Sequence, residues 1–92
     1  MEKRAEVRVN VPYRGAGNII RQKEVSFEVF LDGVQYTLVP VLSEAERRVA
    51  NLPERLEFNM IEGKPVSSRG PKDGNFHVIQ DAVDRLSEMQ LL

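Results

Sequence analysis

The residues best spaced for chemistry lie between Phe76 and Gln90, where His77, Asp81, Asp84 and Glu88 recur at i, i+4, i+7 and i+11. On a helix this spacing sets an imidazole and three carboxylates along one side, and a His with a carboxylate at i, i+4 is a known way to hold a divalent metal. Four groups in a row span more than one coordination sphere, so at most His77 and Asp81 act together, with a further ligand from elsewhere. The same pattern describes the solvated side of any amphipathic helix. That plainer reading is preferred, and neither a metal nor another cofactor is expected.

Nucleophilic catalysis lacks parts. His77 is the only histidine, cysteine is absent, and no serine sits in a G-x-S-x-G elbow. Carboxylates such as Glu57 and Glu62 are expected on the surface, where nothing pairs them as acid and base. The expectation is a protein that is not an enzyme.

Two stretches suit phosphate. Gly15-Ala16-Gly17 is flanked by Arg14, Arg21 and Lys23, but a dinucleotide fingerprint wants a third glycine where Ile20 stands and a helix where a strand is expected. Lys64, Arg69 and Lys72 lie in a second basic loop with Ser67, Ser68 and Gly70. Brought side by side, Arg14, Arg21, Lys23, Lys64, Arg69 and Lys72 would form a salt-sensitive nucleic-acid footprint. Only Tyr13, at the edge of the first loop, offers a ring for base stacking. The net charge of −1 also hides an uneven distribution: +4 over residues 1–23, −5 over 24–62, +2 over 63–75 and −2 over 76–92. A basic surface would therefore be local.

The elements that must position these residues follow from periodicity and turn chemistry. Val7, Val9 and Val11 alternate with Arg8 and Asn10 as in a half-buried strand, which Pro12 ends or assigns to a sheet edge. After the loop Arg14 to Asn18, the runs Val25–Leu31 and Val34–Val39 flank Asp32-Gly33, the signature of a two-residue type I′ hairpin. That turn pairs Leu31 with Val34, Val29 with Tyr36, Phe27 with Leu38 and Val25 with Pro40, an apolar face throughout. The opposite face pairs Phe30 with Gln35, Glu28 with Thr37, Ser26 with Val39 and Glu24 with Val41. It is mixed rather than polar.

Ser43-Glu44-Ala45-Glu46 is a capping box opening a helix over about 44–51, with Pro53 beyond its end. Leu56, Phe58 and Met60 alternate as a strand, although so short a Leu/Glu-rich run also suits a helix. Glu62-Gly63-Lys64 turns the chain, and residues 65–74 read as a loop holding at most one short strand. Asn75 is the expected N-cap of a last helix from Phe76 to about Gln90, whose stripe of Phe76, Ile79, Val83 and Leu86, with Val78, Ala82 and Met89 alongside, faces the sheet.

The fold expected is α+β: one domain over residues 1–92, a small antiparallel sheet in the order β-β-β-α-β-(β)-α, and two helices with the C-terminal one packed on the sheet. Absence of cysteine and of long apolar runs points to a cytoplasmic protein with no membrane span. The remaining clue is the apolar trio Phe30, Val39 and Val41 on the mixed face, which either packs under the first helix or a loop, or serves as a partner or dimer surface. The functional expectation is a small adaptor, regulator or inhibitor that binds a protein or nucleoprotein through this trio, an edge strand or the basic loops. The alternative is nucleic-acid binding by the basic loops 14–23 and 64–72.

Overall fold

A computed structural model describes residues 2–70 and 72–92, apart from the side chain of Arg14. Among these residues the chain forms β1 (Glu2–Arg14), a 3-10 turn (Ala16–Asn18), β2 (Ile20–Asp32), β3 (Gln35–Pro40), α1 (Glu44–Val49), β4 (Leu56–Ile61), β5 (Lys64–Ser67) and α2 (Phe76–Glu88). The strands make one antiparallel sheet in sequence order, β1-β2-β3-β4-β5. The expected α+β class, the element order, the helix of the capping box and the strand at Leu56 are all present. No described helix is long and apolar enough to cross a membrane.

Alternation sets the faces. Val7, Val9 and Val11 of β1, Val25, Phe27 and Val29 of β2, Leu38 of β3, and Leu56 and Phe58 of β4 point to one side. There they meet Val78, Ile79, Ala82, Val83 and Leu86 of α2, with Ala50 and Leu52 closing the cluster beside α1. α2 approaches both edge strands, β1 and β5, so the sheet curls around it. Of the expected α2 stripe, Phe76 and Met89 at its two ends are exposed, and the buried stripe runs from Val78 to Leu86.

The β2–β3 hairpin differs from expectation in its turn. Gly33 and Val34 are the central residues, Asp32 pairs with Gln35, and Leu31 pairs with Tyr36. A type I′ turn at Asp32-Gly33 needs a positive φ at both. Only Gly33 has one, 63°, and at the first central position a single positive φ is what a type II′ turn requires. The register this gives sets Leu31 against Tyr36, whose ring stacks on Phe58 at a centroid distance of 5.2 Å. A two-residue hairpin turn with positive φ at both positions is Glu62-Gly63, at 52° and 78°, joining β4 to β5. Because the shift is two residues, every side chain keeps its face.

Two further differences concern boundaries. β2 begins at Ile20, so Arg21 and Lys23 are strand residues paired with Tyr13 and Val11 rather than parts of a loop. Arg21-Gln22-Lys23-Glu24 carries no apolar alternation, and the ladder to β1 is what makes it a strand. Asn75 holds the expected N-cap position of α2, but its side chain makes no cap hydrogen bond. Asp73 organises that end instead: its Oδ1 accepts from the Asn75 amide at 2.9 Å, its Oδ2 accepts from the buried Ser67 hydroxyl, and its carbonyl accepts from the Phe76 amide.

Candidate functional site

The helices decide which sheet face is free. α2 covers the core face directly. α1 leans on the same side, over the far end of the β1–β2 hairpin, where Lys23 Nζ meets Glu46 Oε2 at 3.3 Å and Tyr13 and Leu42 pack beneath. Among the described residues no element covers the other face, so Phe30, Val39 and Val41 do not pack under a helix.

On that outer face the strands align side chains in rows. Lys3, Phe30, Thr37 and Glu57 form one row across β1 to β4, and Glu6, Glu28 and Val39 form the next. Val41, 54% exposed, continues β3's ladder through its amide to the Ser26 carbonyl at 2.9 Å. Phe30 and Val39 are half-buried by neighbours in their own sheet, and between them they leave Thr37 only 4% exposed.

The charges of this face are tied to one another. Glu6 and Glu28 sit directly opposite, an unfavourable like-charge pair. Lys3 Nζ bridges them, at 2.9 Å from Glu6 Oε1 and 3.0 Å from Glu28 Oε2, and these carboxylates raise the Lys3 pKa above its ordinary value of 10.5. In a regular strand Lys3 and Glu6, three apart, would face opposite sides. A bulge between Lys3 and Ala5 inserts Arg4 and brings both to the outer face. Farther along, Arg55 pairs with Glu57 at 3.2 Å, and Gln35 Nε2 donates to the same carboxylate. Beside them Asn59 Oδ1 is buried with no hydrogen-bond partner among the described residues. Nothing in the alternation pattern singles out Asn59 or Thr37, because their rows, Gln35 with Asn59 and Thr37 with Glu57, are created only by the β3–β4 register.

The five expected cations whose side chains are described do not gather. Arg14 ends β1, and its side chain lies outside the described residues. Arg21 and Lys23 are on β2, which β3 and β4 separate from β5. Lys64 opens β5 beside the Glu62-Gly63 turn, at the other end of that strand from Arg69 and Lys72. Arg69 borders a cleft of about 400 Å³ shared with Glu54 and Glu57. On α2, His77 and Asp84 are exposed and Asp84 accepts from Gln80 at 3.3 Å. Among the described residues no three His, Asp or Glu side chains come together as a metal site.

A second concavity escapes the sequence pattern. About 450 Å³ opens between α1 and the hairpin end, walled by Tyr13, Leu42, Ala45, Val49 and Ala50, with the Lys23–Glu46 pair at its border. Ile20 and Val49 are 70% and 57% exposed on its flank. In comparison with known proteins, no family model matches this chain, and neither a curated protein nor a solved structure matches it.

Proposed function

We propose that this protein is a non-enzymatic interaction module, an adaptor, regulator or inhibitor, that docks a protein partner on the uncovered face of its sheet through Phe30, Val39 and Val41. The observation that carries this reading is the placement of both α1 and α2 on the opposite face. An apolar cluster rimmed by charge on an otherwise bare sheet is the kind of surface partners cover. The single Lys3 ammonium bridges two carboxylates, Glu6 and Glu28, so the rim keeps a net negative charge there and suits a partner with a basic group beside its apolar anchor.

The test is affinity capture from native lysate, with and without nuclease, using the wild-type chain and the variants Phe30→Asp and Val39→Asp. The reading expects a partner held by the wild type, lost in both variants, and indifferent to nuclease, while thermal unfolding of the variants remains cooperative. Capture that survives both variants but disappears with nuclease or with Arg21→Ala overturns it in favour of nucleic acid. Variants that fail to fold would assign Phe30 and Val39 to the core instead.

A further inference from the structure

We propose a second surface, independent of the first: two copies of this chain join edge to edge through β1, in the antiparallel register that sets Val7 of each copy on the two-fold axis. The sheet has two edges of unequal capacity. β5 is four residues long and contains Pro65, which has no amide proton to give a neighbour. β1 is thirteen residues long and, among the described residues, its outer edge has no strand beside it. The bulge between Lys3 and Ala5 and the proline at position 12 leave Ala5–Val11 as its regular segment.

Symmetry and charge then select one register. A two-fold axis perpendicular to the sheet keeps core faces together and passes through a single residue position. An axis at Glu6 opposes Glu6 to itself, and an axis at Arg8 opposes Arg8 to itself. An axis at Val9 sets Arg8 against Asn10 and Glu6 against Pro12. The axis at Val7 opposes Glu6 to Arg8 of the second copy, twice, with Ala5 against Val9 on the core side. Both charged residues are exposed, and pairing across the axis would draw Glu6 from Lys3 and Arg8 from Glu24, its partner at 3.4 Å within each copy.

The edge is shaped at the same place. A cavity of about 290 Å³ is lined by Glu6, Val7 and Arg8 of the strand, by Glu24 of β2, and by Arg85, Glu88 and Met89 at the end of α2. Met89 is 48% exposed there, although the α2 stripe would carry it toward the core. An axis at Val7 brings the two cavities together and covers Met89 with its counterpart, giving the strand ladder an apolar contact on the helix side.

Charge reversal tests the register by analytical ultracentrifugation across a concentration series. The wild type is expected to move from the 10.5 kDa chain mass toward twice that value. Glu6→Arg alone and Arg8→Glu alone each oppose like charges, and each weakens dimerisation roughly tenfold or more. An equimolar mixture of the two single variants restores the dimer, because one copy then carries two cations and the other two carboxylates at the facing positions. Circular dichroism checks that each variant is folded, and the restored mixture is a readout that a folding defect would not give. A wild type that keeps the chain mass throughout overturns the proposal. So do single variants that dimerise as the wild type does, a mixture that stays monomeric, or a dimer abolished by Phe30→Asp.

Discussion

Phe27 and Phe30 stand three positions apart on β2 and do opposite work. Phe27 has no exposed surface and lies at the centre of the cluster under α2, whereas Phe30 lies half-buried on the bare side. Phe27→Ala should cost about 3–5 kcal/mol of unfolding free energy in urea, a large share of the roughly 5–10 kcal/mol expected for a domain of this size. Phe30→Ala should cost about 1 kcal/mol or less, since its outer surface loses little on exposure. A large loss for Phe30 would remove it from any docking surface. Lys3 makes a complementary case at the same scale. Its raised pKa means that the bridge to Glu6 and Glu28 is fully present below pH 10.5 and is lost as pH rises through the raised value. Lys3→Met, which leaves the opposed carboxylates unbridged, should destabilise the fold at neutral pH, and added salt should shrink the difference.

The short elements depend on their ends. α1 has six residues, too few to stand alone, and is held by the Ser43–Glu46 capping box together with the Lys23 pair. Ser43→Ala should cost about 1 kcal/mol. The Glu46 pKa is lowered from 4.5 first by the Ser43 backbone amide, then by the Ser43 hydroxyl and Lys23. A lowered carboxylate pKa stabilises above the unfolded value, so α1 should keep its cap above pH 4.5 and fray as pH falls through the lowered value. NMR chemical shifts of the α1 amides report this, and Glu46→Gln should remove the transition. At the entrance to α2, Asp73 serves both the Ser67 hydroxyl and the Asn75 amide. Asp73→Ala leaves a buried hydroxyl without its partner and should cost about 1.5–3 kcal/mol in chemical denaturation. An effect near zero would show that the interaction does not hold the loop.

The whole molecule measures 42 × 25 × 22 Å. Thirteen extended residues at roughly 3.3 Å each account for its long axis, so the β1–β2 hairpin sets the shape. Spread over this frame, the basic residues are divided between strands and opposite strand ends, and Lys23 pairs with Glu46 while Arg69 shares a cleft with Glu54 and Glu57. Any binding of single- or double-stranded nucleic acid should therefore fall only shallowly with salt, with a log–log slope of about two phosphates or fewer. Fluorescence anisotropy across a salt series measures the slope, and a steep one would mean that the cations converge after all. An edge-to-edge dimer would set two outer faces on the same side of one continuous sheet. A partner with repeated sites would then be held by both.

What the sequence determined is everything carried by local chemistry or by period. Alternating valines named the core face of β1 and β2, the capping box named α1, and the apolar stripe named the buried middle of α2. Even the misassigned turn at Asp32-Gly33 left Phe30, Val39 and Val41 on their correct face, because a shift of two residues preserves a period of two. What only the tertiary structure decided depends on partners far along the chain. The start of β2 at Ile20 required the ladder to β1, the position of Lys3 beside Glu6 required the bulge at Arg4, and the separate rows holding Thr37 and Asn59 required the β3–β4 register. The choice of face for α1 and α2 belongs with these. A local pattern states that a surface is apolar, but what covers it is fixed by the summed burial of segments up to 79 residues apart, from Val7 to Leu86.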